Sequence, residues 1–322
     1  MNLKFRIGLG ILLALFHLQT WAQREPLYSQ YMYNIGSFNA AYVGTVEAPD
    51  VSFLVRTPWI GFPGYNNTYR FGANLPLGNE KNGVGINIVS DKIGPTSQTL
   101  LDFAYSFQIQ VSEEAKLSFG LEAGGTFLNT DFSQGTFENP GEPILNSQIV
   151  KSVYPTLGAG LFLYESDWYL GLSVPNILGD AQYNSEVAQI VEDNLQFNFI
   201  GGHVFQIKDN LKFKPAFLMN FIKGAPAVTN VSANFLLNDK LTLGTSYRFG
   251  NALSALVGFQ LSETFFAGYS YDYSTNGLSG YNGGSHEIIL KYYLGGIKLP
   301  TRKRDSGSNK NKGKQIDSPR FF

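Results

Sequence analysis

Side chains able to do chemistry are few in this 322-residue chain, and they are scattered. There is no cysteine, so there is no thiolate nucleophile, disulfide framework or lipobox. Of the three histidines, only His203 and His286 lie beyond the N-terminal apolar segment, and neither has a second His or Cys at ligand spacing. His286 is followed by Glu287, but a hydrolase would also need a serine brought to them and an assigned orienting partner, which the spacing does not supply. No Walker loop occurs, and no GxGxxG precedes a helix. The expectation is a non-enzymatic protein without metal or cofactor.

What the sequence does offer is charge on strands that are otherwise greasy. In 241–249, Leu241, Leu243, Thr245, Tyr247 and Phe249 share one face, and Thr242, Gly244, Ser246 and Arg248 the other. In 264–273, Phe265, Ala267, Tyr269, Tyr271 and Tyr273 alternate with a set that includes Phe266, Ser270 and Asp272. Arg56, Arg70, Asp102, Glu122, Lys212, Lys214, Glu287 and Lys291 occupy the same kind of position. Together with Arg248 and Asp272 they are expected to form a paired network on an enclosed inner face; a solute-selective pore is the alternative.

The elements that must carry these residues read as strands almost throughout. Period-two alternation starts at Val51 and recurs in about 14 segments, the longest being Leu101, Phe103, Tyr105, Phe107, Ile109 and Val111 against Asp102, Ala104, Ser106, Gln108 and Gln110. Composition agrees, with 35 Gly, 18 Tyr, 26 Phe and only 15% charged residues. Mean hydropathy is −0.08, and nothing beyond the N-terminal segment approaches the roughly 18 apolar residues of a spanning helix.

Loop lengths add an independent argument. Tight polar links at 112–115, 165–167, 208–210, 238–240 and 262–263 alternate with longer loops at 57–67, 131–153, 175–193 and 274–285. Gly250 to Ala252 breaks the parity. Short turns on one side and long loops on the other is the asymmetry of an outer-membrane barrel. Such a barrel turns its apolar face to lipid and its polar face to a lumen, and an even strand count puts both chain ends in the periplasm.

The N-terminus supports export. Lys4 and Arg6 precede an apolar run from Ile7 to Leu18, and Thr20-Trp21-Ala22 gives a cleavage context after Ala22. The expected divisions are 1–22 signal peptide, 23–50 irregular lead-in, 51–297 barrel and 298–322 tail. The tail carries eight basic and two acidic residues, whereas 23–297 carries 14 basic against 23 acidic. An acidic body argues against nucleic acid as a partner.

Several short motifs, in order, give a resemblance across essentially the whole mature chain. YSQYMYN at 28–34 followed by NAAYVG at 39–44, RTPWIG at 56–61, DKIGP at 91–95, GLSVP at 171–175, SYR at 246–248, GYSYDY at 268–273, GSHE at 284–287 and SPRFF at 318–322 resemble the PorP/SprF family of type IX secretion and gliding-associated outer-membrane proteins. Ala40 departs from the family pattern, which usually carries Pro there. The resemblance implies an outer-membrane barrel working with secretion components and a secreted surface protein such as a gliding adhesin. A channel for a small or hydrophobic solute is the alternative.

Two segments outside the strands are candidate sites. The lead-in is aromatic and weakly charged, unlike a disordered spacer, and is expected to fold into the lumen through Tyr28, Gln30, Tyr31, Asn34, Asn39 and Tyr42. The tail is either solvated or a periplasmic docking peptide anchored by Arg320, Phe321 and Phe322.

Overall fold

Alternating side chains become a closed wall. The computed structural model describes residues 27–46, 48–61, 67–78, 81–131, 149–178, 195–277 and 279–295. The expected signal peptide, the tail with Arg320, Phe321 and Phe322, and most of the loops at 131–153 and 175–193 lie outside them. The strands are β1 (Asp50–Thr57), β2 (Thr68–Pro76), β3 (Asn82–Ile93), β4 (Thr96–Gln110), β5 (Lys116–Asp131), β6 (Ile149–Tyr164), β7 (Trp168–Val174), β8 (Gln196–His203), β9 (Phe205–Lys208), β10 (Leu211–Ile222), β11 (Val228–Leu237), β12 (Leu241–Arg248), β13 (Ala252–Ser262), β14 (Phe265–Ser274) and β15 (Ser285–Tyr293).

Each strand pairs antiparallel with its neighbours in sequence, and β1 pairs with β15 to close the ring. β8 and β9 are two pieces of one stave, both paired with β10. They part around Val204, where the β10 register brings Pro215 opposite His203. Proline has no N–H to give the ladder, so pairing lapses there. The result is a closed antiparallel barrel of 14 staves, the number the alternation gives.

Faces sort as period two requires. On β4 Phe103 is 60% exposed and Asp102 only 5%. On β13 Leu261 is 63% exposed while Gln260 and Ser254 are buried. Tyr247 and Tyr269 face outward, and Asp272 and Glu287 inward. A soluble protein would not tile its whole outer wall with Phe, Leu and Tyr; a bilayer makes that wall the favourable one.

β5 and β6 have 16 residues each, longer than the alternation alone suggests, and extend well beyond the long-loop ends of β7 and β8. The alternation of short and long links is looser than expected: besides the link after β12, two more connections on the long-loop side are short, Gly94-Pro95 and residues 223–227.

Phe103 sits midway along β4, so Phe103→Arg should destabilise the barrel by about 2–4 kcal/mol if its side chain meets the bilayer centre. Reversible urea unfolding in lipid vesicles measures this. A change below about 0.5 kcal/mol would mean that the outer wall does not face lipid.

Candidate functional site in the barrel lumen

The lead-in does not stay outside the wall. Residues 27–46 run within the ring of strands as three 3-10 turns, Tyr31–Tyr33, Ile35–Ser37 and Ala40–Tyr42. Tyr28, Gln30, Tyr31, Asn34 and Asn39 are almost fully buried, and Tyr42 is half-buried with its ring edge-on to Phe162 at 5.5 Å. Short turns suit this segment because a chain folded back on itself cannot satisfy its backbone by strand pairing. Asn39 caps the third turn by accepting from the Ala41 N–H at 2.9 Å, and its amide donates to the Leu161 carbonyl at 2.9 Å. The turn therefore forms without the family's proline at Ala40.

One end of the lead-in is held at the long-loop rim. Glu287 accepts from the backbone N–H of Ser29 at 3.1 Å and of Gln30 at 2.9 Å. Arg56 reaches Asp272 at 2.9 Å and Glu287 at 3.0 Å, and the Ser29 hydroxyl donates to Asp272 at 2.7 Å. Arg248 donates to Asn230 at 2.9 Å and to the Leu27 carbonyl at 3.2 Å. Each carboxylate in this latch thus meets both a guanidinium and a lead-in donor, the condition under which a buried ion pair is tolerated.

The other end of the lead-in reaches the short-turn rim. The Gly44 N–H donates to Asn74 at 2.7 Å, Gln108 donates to the Gly44 carbonyl at 2.8 Å, and Ser106 donates to the Val43 carbonyl. On the opposite wall the Phe38 carbonyl accepts from Ser173 and from Asn198. β1 begins at the short-turn side, as an even strand count requires. Leu27, by contrast, lies beside Arg248 at the end of β12 facing the long loops, so the two described ends of the lead-in sit at opposite rims.

Close approach of lead-in and wall needs glycine at two places. A Cβ on Gly120 would overlap the Ala41 backbone, and one on Gly83 would overlap Gly44. The lead-in aromatics meet inward-facing rings, with Tyr33 5.1 Å from Phe266. The Tyr31 hydroxyl is hydrogen-bonded to the Ser232 hydroxyl at 2.9 Å.

The ten strand charges do not form the single network expected. Arg56, Asp272, Glu287 and Arg248 make the latch. Asp50, which sequence reasoning missed, pairs with Lys291 at 3.7 Å, and with Arg70, Asp102 and Glu122 these line a cavity on the β1–β5 side. Lys214 lies over the Tyr169 ring, 5.5 Å from its centroid. Lys212 belongs to no lumen cluster: it is the second residue of β10, at the short-turn rim, and pairs with turn residue Asp239 at 2.7 Å. Also missed were Ser29 and Gly44 of the lead-in, and Asn74, Ser106, Gln108, Ser173 and Ser232 of the wall, which bond the two together; the parity of the wall residues was legible, their partners were not.

Above the latch, the outer loop is pinned. Ile60 exchanges backbone hydrogen bonds with Gly283 and Gly284, and the Trp59 N–H donates to Ser285 at 3.1 Å. Trp59 takes φ 47°, a left-handed conformation that costs a bulky residue about 1–2 kcal/mol. The two histidines are far apart, His286 bonded to the Tyr269 hydroxyl at 2.6 Å and His203 stacked 4.1 Å from Phe205.

Comparison with known proteins gives one family and a set of barrels. The family described as "Type IX secretion system membrane protein PorP/SprF" matches residues 20–292. No curated protein matches. Among solved structures, the toluene transporter TbuX of Ralstonia pickettii is 11% identical, covering 86% of this chain and 98% of its own, with a TM-score of 0.48. Omp33 of Acinetobacter baumannii is 7% identical, covering 78% and 99%, with a TM-score of 0.43. A Pseudomonas aeruginosa FadL homologue is 11% identical, covering 84% and 95%, with a TM-score of 0.43.

The latch generates a local prediction. Glu287→Gln exchanges two charge-assisted bonds to lead-in amides for neutral ones, at a cost of about 3 kcal/mol if each is worth about 1.5. Hydrogen exchange at Ser29 and Gln30 should then quicken about 100-fold, with β10–β11 amides unchanged. Equal quickening throughout would assign Glu287 to global stability instead.

Proposed function

Because the chain belongs to the PorP/SprF family of type IX secretion system membrane proteins, we propose that it is a plugged, non-enzymatic outer-membrane barrel supporting secretion or surface anchoring of a type IX substrate such as a gliding adhesin. The lead-in is the plug, with Tyr28, Gln30, Tyr31, Asn34, Asn39 and Tyr42 its seated residues. The extracellular loops at 131–153 and 175–193 contact the secreted protein. The basic tail reaches a periplasmic component through Arg320, Phe321 and Phe322. Signal peptidase releases the mature chain after Ala22.

The observation that carries this reading over a solute channel is the seating of residues 27–46 on both rims. Hydrogen bonds join that segment to β14 and β15 at the long-loop side, to β2 and β4 at the short-turn side, and to β7 and β8 across the lumen. A diffusing solute would have to displace it. A partner at the rim would not.

Purification of the tagged protein at native abundance from outer membranes should recover type IX components and a secreted surface protein, and wild-type protein in planar bilayers should show no solute-dependent conductance. Recovery of neither, together with solute-dependent conductance, would establish the channel instead. Gly120→Val forces the wall against Ala41 and should unseat the plug, giving discrete conductance steps from a barrel that still runs as a heat-modifiable band. Deleting 301–322 should reduce secretion and recovery of the periplasmic partner; unchanged values would leave the tail merely solvated.

A further inference from the structure

The plug is not held alike on its two sides. Toward β6–β8 and β10–β14 it packs on Phe162, Tyr169, Ile200, Leu218, Leu256 and Phe266, all buried in one apolar cluster. Toward β1–β5 lies the cavity, of about 30 Å³, room for about two waters.

Its lining holds polar atoms without partners. Arg70 is 4% exposed; one Nη donates to Ser52 at 3.1 Å, its Nε has no partner, and among the described residues it meets no carboxylate. Asn34, from the plug, is 3% exposed with both amide atoms unbonded, and the Asn87 carbonyl oxygen is likewise unbonded. Burying the Arg70 Nε, both Asn34 amide atoms and the Asn87 carbonyl oxygen without partners would be costly. Water fits the space and supplies both donors and acceptors.

We propose that this cavity is a hydrated seam between plug and wall, filled by ordered water that bridges Arg70 and Asn34 and entered by small cations. The preference for cations follows from the lining, in which Asp50, Asp102 and Glu122 outnumber Arg70 and Lys291. No fixed metal site is implied: among the described residues no three His, Asp or Glu converge as ligands would. The inference rests on the lead-in being seated in the lumen, and is independent of what the barrel secretes.

The absence of native cysteine makes single-cysteine chemistry clean. Ala104 lines the seam on β4, and Ala216 lies in the apolar cluster on β10. In the full-length protein folded in detergent, Ala104→Cys should react with 2-aminoethyl methanethiosulfonate, whose primary ammonium is a small cation, at least ten times faster than Ala216→Cys. It should also react several times faster with that reagent than with the sulfonatoethyl one. Asn87→Leu, which fills the seam, should slow the Ala104→Cys reaction. Heat-modifiable migration verifies that each variant is folded. Rates for the two positions within twofold of each other, or a faster reaction with the anionic reagent, would overturn the proposal, whether or not pull-down finds secretion partners.

Discussion

The pairing of β1 with β15 is the constraint on which the rest of the structure depends. It joins residues more than 200 positions apart, so its loop-closure cost comes without help from local contacts. Its register sets Arg56 opposite Glu287. A slip of one residue would turn Arg56 to lipid and every neighbour with it. The register that closes the barrel therefore also assembles the latch. Arg56 holds Glu287 on β15 and Asp272 on β14, and those carboxylates accept from Ser29 and Gln30. Isolated, such a buried ion pair adds little to stability. Here its value is specificity, since only the closed ring presents both carboxylates to the lead-in.

Much of the wall was legible because bilayer and lumen impose a strict alternation. Arg248 and Tyr247, adjacent residues of opposite parity, went to the faces their positions demanded. The same rule placed Phe266 inward, although its side chain is as greasy as those outside. Phe162, Tyr164 and Tyr169 were harder to see. They share strands with glycines and face inward beside polar positions, so the face average hides three rings that pack under the plug. What one-dimensional pattern could not contain is distance. RTPWIG, SYR, GYSYDY, GSHE and the first turn of the lead-in are spread over the chain, yet all meet at one corner of the long-loop rim. GLSVP likewise meets the lead-in, through Ser173.

Charge inside the barrel is partitioned by what faces it. Where the lead-in offers backbone N–H groups, the wall supplies carboxylates and arginines balance them. Where it offers aromatic rings, the wall supplies rings and one lysine lying over Tyr169. Where it curves away between Tyr33 and Tyr42, the wall supplies both signs of charge around the cavity. Of ten charges that look equivalent in sequence, nine thus do three different things, and Lys212 does a fourth at the rim. Parity alone sets only the face. Depth along the strand, and the part of the lead-in opposite, set the role.

The lead-in crosses the full depth of the barrel, with Leu27 at the long-loop rim and Asp50 opening β1 at the other. The pinned outer loop is only a few residues from the latch along the same two strands, because Ser285, which holds Trp59, is two residues from Glu287. Glu287 in turn touches the lead-in. A contact that displaced Trp59 or Ile60 outside would act on strands whose next inward-facing groups hold the plug. Strain stored in the left-handed Trp59 makes that loop a costly conformation, kept only because Ser285, Gly283 and Gly284 fix it. Rim and lumen are therefore not separate regions of this barrel: one end of β15 makes bonds that shape the outer loop and bonds that hold the long-loop end of the plug.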